Sequence, residues 1–274
     1  MQFPPSVALN DGRSIPQLGF GVWRVPNEEA SSIVQEAIKT GYRLIDTAAI
    51  YQNEEGVGLA IEAASVPRSE LFVTTKLWNS EQGHDSTLRA FDESLRKLRL
   101  DFVDLYLIHW PMPKSDLYLD TWRALIKLRQ DGRVKSIGVS NFTIPTLRRI
   151  IDETGVVPVL NQVELHPRFQ QRALRDFHAA HAIVTESWSP LGRGAINNEV
   201  IRSIASKHGM TPAQVILRWH LQNGLVVIPK SATPSRIREN FDVFRFSLDN
   251  DDMTALGKLD DEAGRVGAHP DEVE

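Results

Sequence analysis

The stretch YRLIDTAAIYQNEEGVG, residues 42–58, holds a strand, a turn and a helix start in close succession. Its apolar pair Leu44 and Ile45 ends abruptly in Asp46, and Tyr51 follows after a short gap. Asn53 then stands as a candidate N-cap, with Glu54 and Glu55 in the first turn, where carboxylates suit the positive end of a helix dipole. One such unit decides nothing; its repetition decides the fold. Short apolar runs recur as QLGFGVW, YRLID, LFVTTK, VDLYLIH, VKSIGVS, VPVLNQVE, AIVTESWS and LVVIPKS, which makes eight candidate strands.

Helical periodicity fills the gaps. NEEASSIVQEAIKTG carries apolar residues at helical spacing and stops at Gly41. NEEGVGLAIEAA, HDSTLRAFDESLRKLRL, DLYLDTWRALIKLRQDG, TIPTLRRIIDET and FQQRALRDFHAAH continue the alternation. Two helices, near 198–208 and 212–222, separate the seventh and eighth strands, and TPSRIRENFDVF follows the eighth. The strands are short, continuously apolar and rich in Val, Ile and Leu, as parallel strands covered on both faces read. Eight βα units without a break in composition predict an α/β fold, a single (β/α)8 TIM barrel domain over residues 1–274 with two extra helices. An N-terminal β-hairpin, VALNDGRSIPQL turning at Asn10-Asp11-Gly12, is placed across the barrel bottom. An open doubly wound sheet competes, but its dinucleotide fingerprint is missing, because Gly19-Phe20-Gly21 lacks a third glycine.

Composition narrows the function. The chain is globular in balance, 42% hydrophobic and 24% charged, and its net charge of −4 offers no basic field for nucleic acid or an anionic membrane. The absence of cysteine excludes disulfides, thiolate metal sites and a cysteine nucleophile, and fits a reducing cytoplasm. MQFPPSVALNDG has neither the basic flank nor the apolar core of a signal peptide. No apolar run approaches the roughly 20 residues of a membrane span. Asn141-Phe142-Thr143 matches a glycosylation acceptor by chance. His178 and His181 lie one helical turn apart with no third ligand at matching spacing; they read as surface residues, and no metal is expected.

The runs share one further property. Their last residues are Asp46, Lys76, His109, Ser140 with Asn141, Gln162 with Glu164, Trp188, and Lys230. In a (β/α)8 barrel the C-terminal strand ends form one face, and active sites lie there. Strand phase then sets these residues at one level of one pocket. Tyr51, a few residues past its strand, can reach back over it. A free phenol has a pKa near ~10, and an adjacent ammonium favours the phenolate. Lys76 can supply that charge, and Asp46 can keep Lys76 charged in a desolvated site. His109 can orient a substrate oxygen by hydrogen bonding. This set suits protonation of a developing alkoxide, with the electrons delivered as hydride by a cofactor.

IPKSATPSRIRENF, residues 228–241, carries the cofactor signal. Thr233-Pro234 opens a helix, and helix N-termini bind phosphate. Lys230, Arg236 and Arg238 beside it suit an extra phosphate such as the 2′-phosphate of NADPH. SPLGRG, residues 189–194, can lay its amides on a pyrophosphate. Trp188 can stack on a nicotinamide, Ser140, Asn141 and Gln162 offer donors and acceptors for its carboxamide, and Trp23, Trp78 and Trp110 can wall a substrate pocket.

DTAAIYQNEEGVG, TTKLW, VDLYLIHWP, IGVSNF, NQVELHP, WSPLG and IPKSATPSRIRENF together resemble the signature segments of the aldo-keto reductase superfamily, over essentially the whole chain. AGRVGAHPDEVE and the compact C-terminus are most similar to its bacterial branch that includes 2,5-diketo-D-gluconate reductases. The resemblance implies a catalytic tetrad of Asp46, Tyr51, Lys76 and His109, and NADPH bound without a Rossmann fold. It implies Ser140, Asn141, Gln162 and Trp188 around the nicotinamide, Ser189, Leu191 and Gly192 along the pyrophosphate, and Gly21 and Val22 as further cofactor-binding residues. Lys230, Ser231, Arg236, Glu239 and Asn240 would hold the adenosine phosphate end. Gln52 stands where the family often has glycine, and Thr233 where the diketo-gluconate reductases have a further arginine. By the same resemblance the chain is expected to be an NADPH-dependent carbonyl reductase and a monomer acting on a small carbonyl substrate; the lack of a signal peptide and of cysteine makes a cytoplasmic location the expectation. Two alternatives stay open: a nicotinamide-binding regulatory or partner protein with little turnover, similar to potassium-channel β subunits, and a Schiff-base lyase using Lys76.

Overall fold

The computed structural model describes residues 4–273. Eight parallel strands form the barrel in chain order: β3 (Phe20–Gly21), β4 (Leu44–Asp46), β5 (Phe72–Leu77), β6 (Val103–Ile108), β7 (Val134–Ser140), β8 (Leu160–Glu164), β9 (Val184–Trp188) and β10 (Val226–Val227). The ring closes between its first and last strands. Leu18 bridges Val227 in parallel, Gly19 N donates to Val227 O at 2.8 Å, and Gly21 N donates to Pro229 O at 3.1 Å. The glycine pair serves this seam. A Cβ on Gly19 would lie 2.5 Å from the Leu44 side chain, and one on Gly21 would lie 3.1 Å from the Ile228 carbonyl oxygen.

The hairpin of β1 (Ser6–Ala8) and β2 (Ser14–Pro16) plugs the N-terminal end of the barrel, as expected. Asn10 Nδ2 donates to Pro158 O at 3.1 Å, just before β8, and Ser136 Oγ near the start of β7 donates to Asp11 at 2.7 Å. Leu9 and Ile15 share an apolar cluster with Leu44, Phe72, Leu105, Val184 and Val226. The lower lumen is thus a packed, largely apolar core.

Helices α1 (Asn27–Thr40), α2 (Glu54–Glu62), α3 (His84–Leu98), α4 (Tyr118–Gln130), α5 (Ile144–Thr154) and α6 (Arg172–Ala180) each follow a barrel strand. The pair α7 (Glu199–His208) and α8 (Pro212–Gln222) separates β9 from β10, and α9 (Pro234–Phe241) follows β10. Local chemistry marks their ends. Thr211 and Gln214 form a reciprocal capping box with Pro212 at the helix start, and Asn198 accepts from the amides of Val200 and Ile201. The sequence reading omitted α10 (Asn250–Gly257), although its signal is present: Asp249 caps it, and Asp252 returns the bond.

Asn53 occupies the N-cap position of α2 but its side chain makes no cap bond. Buried instead, it donates to Val22 O and Val25 O, each at 2.9 Å, and accepts from Thr47 at 2.8 Å. This knot ties the loop after β3 to the loop after β4. Glu54 likewise turns inward and accepts from Thr75 Oγ1 at 2.6 Å, while Glu55 stays exposed.

Helices α1 and α2 touch through glycine: a Cβ on Gly56 would sit 2.3 Å from the Asn27 carbonyl oxygen and 2.8 Å from the Ala30 Cβ. Gly56→Ala should therefore lower the unfolding free energy by about 1–3 kcal/mol. Urea titration should show the midpoint falling at unchanged slope; an unmoved midpoint would mean the helices separate freely.

Candidate active site

Lys76 is completely buried. Its Nζ donates to Asp46 Oδ1 at 2.5 Å and to Thr47 O at 2.9 Å. Strand phase predicts the polar strand ends at a common level. The register corrects this: Asp46 pairs with Thr74, so Lys76 stands one inward position further along. Barrel strands are tilted and staggered, and Lys76 spans the offset by reaching back. Gln162 Nε2 on β8 also donates to Asp46, at 2.8 Å. Strands β4 and β8 are not neighbours in the sheet, so these side chains meet across the lumen.

Burial alone would depress the Lys76 pKa, but the Asp46 charge, then Tyr51, outweigh it and leave the value raised. The ammonium's contribution to stability is therefore present below its unfolded pKa and is lost only as pH rises through the higher folded one. Tyr51 ends a short 3-10 helix, Ala49–Tyr51, and the Lys76 Nζ lies 5.1 Å from the centre of its ring. Burial pushes the phenol pKa up, the Lys76 charge opposes this, and the Asp46 charge adds to the rise. The net shift is upward, so the phenol is protonated at neutral pH; the lysine moderates its acidity without reversing the effect of burial.

His109 meets the edges of Tyr51 and Trp78, with ring centres 5.7 and 5.3 Å apart. Burial, then the Lys76 charge, pushes its pKa well down, so the imidazole is neutral. Its Nδ1 is buried without a partner, which leaves Nε2 as the accessible ring nitrogen. Behind it, Asn141 Nδ2 donates to His109 O at 2.9 Å, and Trp188 Nε1 donates to Asn141 Oδ1 at 2.8 Å. Trp110 lies 6.5 Å from both His109 and Trp188, centre to centre. Trp78, Trp110 and Trp188 thus gather around His109. Trp23 does not join them: it is 46% exposed, with Arg24 4.2 Å over its ring.

The remaining expected site residues line the same end of the barrel. Ser140 Oγ donates to Gln162 O at 2.8 Å. Val22 is buried, and its amide donates to Asp46 O at 3.1 Å. Ser189 and Gly192 adopt positive φ, 48° and 54°, and Leu191 packs on the core between them. At the start of α9, Ser231 Oγ accepts from the Thr233 amide at 3.1 Å, while Thr233 itself makes no side-chain cap bond. Lys230 and Arg236 are exposed and carry no ion pair or hydrogen bond among the described residues. Arg238 is instead paired with Glu36. Glu239 accepts from Thr211 at 2.8 Å, and Asn240 is buried. Gln52 holds a left-handed backbone, φ 56°, which explains why glycine suits that position.

The profile of the "Aldo/keto reductase family" matches residues 17–261. The chain belongs to the aldo/keto reductase family. It is 55% identical to "Methylglyoxal reductase DkgA" of Escherichia coli (strain K12), over 99% of each chain. The solved structure of a Gox0644 point mutant in complex with NADPH matches at 56% identity and a TM-score of 0.96, covering 100% of both chains. An aldo/keto reductase from Brucella melitensis matches at 61% identity and a TM-score of 0.93, covering 95% of this chain and 99% of that one.

Two features of this aldo/keto reductase go beyond the pattern of polar strand ends, and a third corrects an expectation. Glu186 is fully buried, and its Oε2 accepts from Gln162 Nε2 at 2.7 Å. Its signal was spacing, two residues before the inward Trp188. Glu164 accepts from the amides of Val266 at 2.6 Å and Gly267 at 2.8 Å, which pins the C-terminal segment beside Trp188. A Cβ on Gly267 would lie 2.4 Å from the Trp188 ring, so only glycine fits there. His178, read as a surface residue, is buried between Asn161 at 3.0 Å and Thr185 at 2.8 Å; helical spacing alone did not reveal which face it occupied. A cavity of about 1260 Å3 between the hairpin, α6, α8 and α10 includes none of the tetrad in its lining.

Lys76→Met should destabilise the protein by about 3–5 kcal/mol near neutral pH, because the Asp46 carboxylate is left buried without its cation. Chemical denaturation measures it, and a loss undiminished in the Asp46→Asn, Lys76→Met double variant would rule out an uncompensated charge.

Proposed function

We propose that this aldo/keto reductase uses NADPH to reduce aldehydes or ketones to alcohols. The observation that carries the reading is a protonated phenol, Tyr51, beside a charged Lys76 that Asp46 holds in place. The residues present suit the cofactor. Gln162 commits its amide nitrogen to two carboxylates, so its oxygen remains to accept from a carboxamide. Trp188 offers a ring face beside Asn141. The α9 N-terminus, with unpaired Lys230 and Arg236, suits phosphate, and Arg236 is the candidate for the 2′-phosphate. We carry NADPH over from the Gox0644 complex, and small dicarbonyls such as methylglyoxal from the reductase of Escherichia coli.

When bound, NADPH supplies hydride to the carbonyl carbon. The chain does the rest. His109, neutral, donates from Nε2 to the substrate oxygen and aims it at Tyr51. As negative charge builds on that oxygen, Tyr51 gives up its proton, and Lys76 stabilises the phenolate left behind. Trp78 and Trp110 exclude water from the reacting oxygen, and Trp23 stands at the mouth. Metal chemistry and a Schiff base are not part of this reading. A lysine held charged by Asp46 lacks the lone pair that a Schiff base needs. The same reading makes residues 1–274 one barrel domain, working as a cytoplasmic monomer. Among the described residues no helix is long and apolar enough to cross a membrane.

Tyr51→Phe should retain NADPH binding and lose about 10²–10⁴-fold in turnover, the range for a positioned general acid. NADPH fluorescence titration and steady-state reduction of methylglyoxal test the two halves; undiminished turnover would remove Tyr51 from its role. Arg236→Ala should weaken NADPH far more than NADH, since only NADPH carries the 2′-phosphate. Equal weakening of both would place that phosphate elsewhere.

A further inference from the structure

The upper lumen contains a carboxyl group that the mechanism above does not use. Glu186 lies on β9, fully buried, beside Gln162 in the sheet register. One of its oxygens accepts from Gln162 Nε2 at 2.7 Å, and the other is buried with no partner among the described residues. The same Gln162 nitrogen donates to Asp46 Oδ2 at 2.8 Å, and Asp46 Oδ1 accepts from Lys76 at 2.5 Å. A continuous chain therefore runs from Glu186 through Gln162 and Asp46 to Lys76, and Lys76 lies under the Tyr51 ring. Two carboxyl groups share one amide and face one ammonium.

We propose that Glu186 is a positioning residue that sets the acidity of Tyr51: carried neutral, it leaves Asp46 as the only anion beside Lys76, and ionised, it adds a second anion that makes the phenol a weaker acid. The inference deepens the reductase reading, because it concerns the same phenol.

The charge balance supports it. One ammonium can offset one carboxylate. A second ionised carboxyl group in a lumen closed to water has no further cation, and its orphan oxygen has no donor. Burial, then the Asp46 charge, pushes the Glu186 pKa up to about 8, against the Gln162 hydrogen bond and the Lys76 charge. The charged or titratable groups facing it are Asp46 from β4, Lys76 from β5 and Tyr51 from the loop after β4; its sheet neighbours Gln162 and Val226 carry no charge. The Glu186 charge in turn acts to raise the Tyr51 pKa.

The linkage has a definite sign. A carboxyl whose folded pKa is raised binds its proton more tightly in the folded state. Its stability contribution therefore falls as pH rises from the unfolded value, ~4.3, towards about 8. Glu186→Gln removes this slope and keeps the shape, since its amide oxygen can still accept from Gln162.

The decisive measurement uses cofactor-free protein, so it stands apart from any failure of the reductase reading. The tyrosinate absorbance of Tyr51 is isolated by subtracting a Tyr51→Phe partner in the wild-type and the Glu186→Gln backgrounds. The Tyr51 midpoint should fall by about one pH unit or more in Glu186→Gln, a change of ~1.4 kcal/mol per unit. Thermal melting should lose its decline between pH 5 and 8 in the same variant. If Glu186→Gln does not fold, Glu186→Leu is titrated instead, with the same expected shift. An unmoved Tyr51 midpoint in a folded variant overturns the proposal, whatever happens to activity.

Discussion

A single ammonium buried inside the barrel constrains everything around it. Lys76 has no contact with water, so its charge persists only because Asp46 and the Thr47 carbonyl meet it at hydrogen-bonding distance. Removing a charge from water costs several kcal/mol even after relaxation, and only good geometry offsets it. That geometry comes from the parallel pairing of β4 with β5, which fixes the stagger between Asp46 and Lys76. Tyr51 acquires its environment from the same pair, because burial and Asp46 raise its pKa while Lys76 restrains the rise.

The barrel divides into two chemical levels. Below, Leu44, Phe72, Leu105, Val184 and Val226 fill the lumen and the hairpin seals it with Leu9 and Ile15. Above, Asp46, Lys76, Gln162 and Glu186 replace the usual branched apolar side chains. Such a polar level is tolerable only if its groups satisfy one another, since each unmatched group forfeits hydration without return. The Asp46–Gln162 contact across the lumen does this, and it holds opposite strands in a fixed relation. The orphan oxygen of Glu186 is the exception within this level, and it marks where the balance is least complete.

Positioning extends beyond the charged groups. Asn53 joins the loops after β3 and β4, and so fixes the 3-10 helix that carries Tyr51. Asn141 links His109 to Trp188, so the imidazole and the indole share one support. Glu164 holds the C-terminal segment where Gly267 can press against Trp188. Each is a buried or half-buried polar contact between segments far apart in the chain, a kind of contact that no local pattern announces.

The alternation of apolar runs with helical periodicity determined the eightfold barrel, because strand and helix periods are local properties of the chain. The polar strand ends determined which residues share a face, because a parallel barrel puts every strand's C-terminal end on one side. Helical periodicity located α1 to α9, and the Asp249 and Asp252 capping box was the local signal for α10. Only the tertiary structure decided the rest: the stagger that offsets Asp46 from Lys76, the inward turn of Asn53, the burial of His178, and the place of Glu186 beside Gln162. Those outcomes depend on strand register and on which groups remain unmatched after closure. Register and satisfaction are set between segments, by distance and by excluded water, and a linear pattern carries neither.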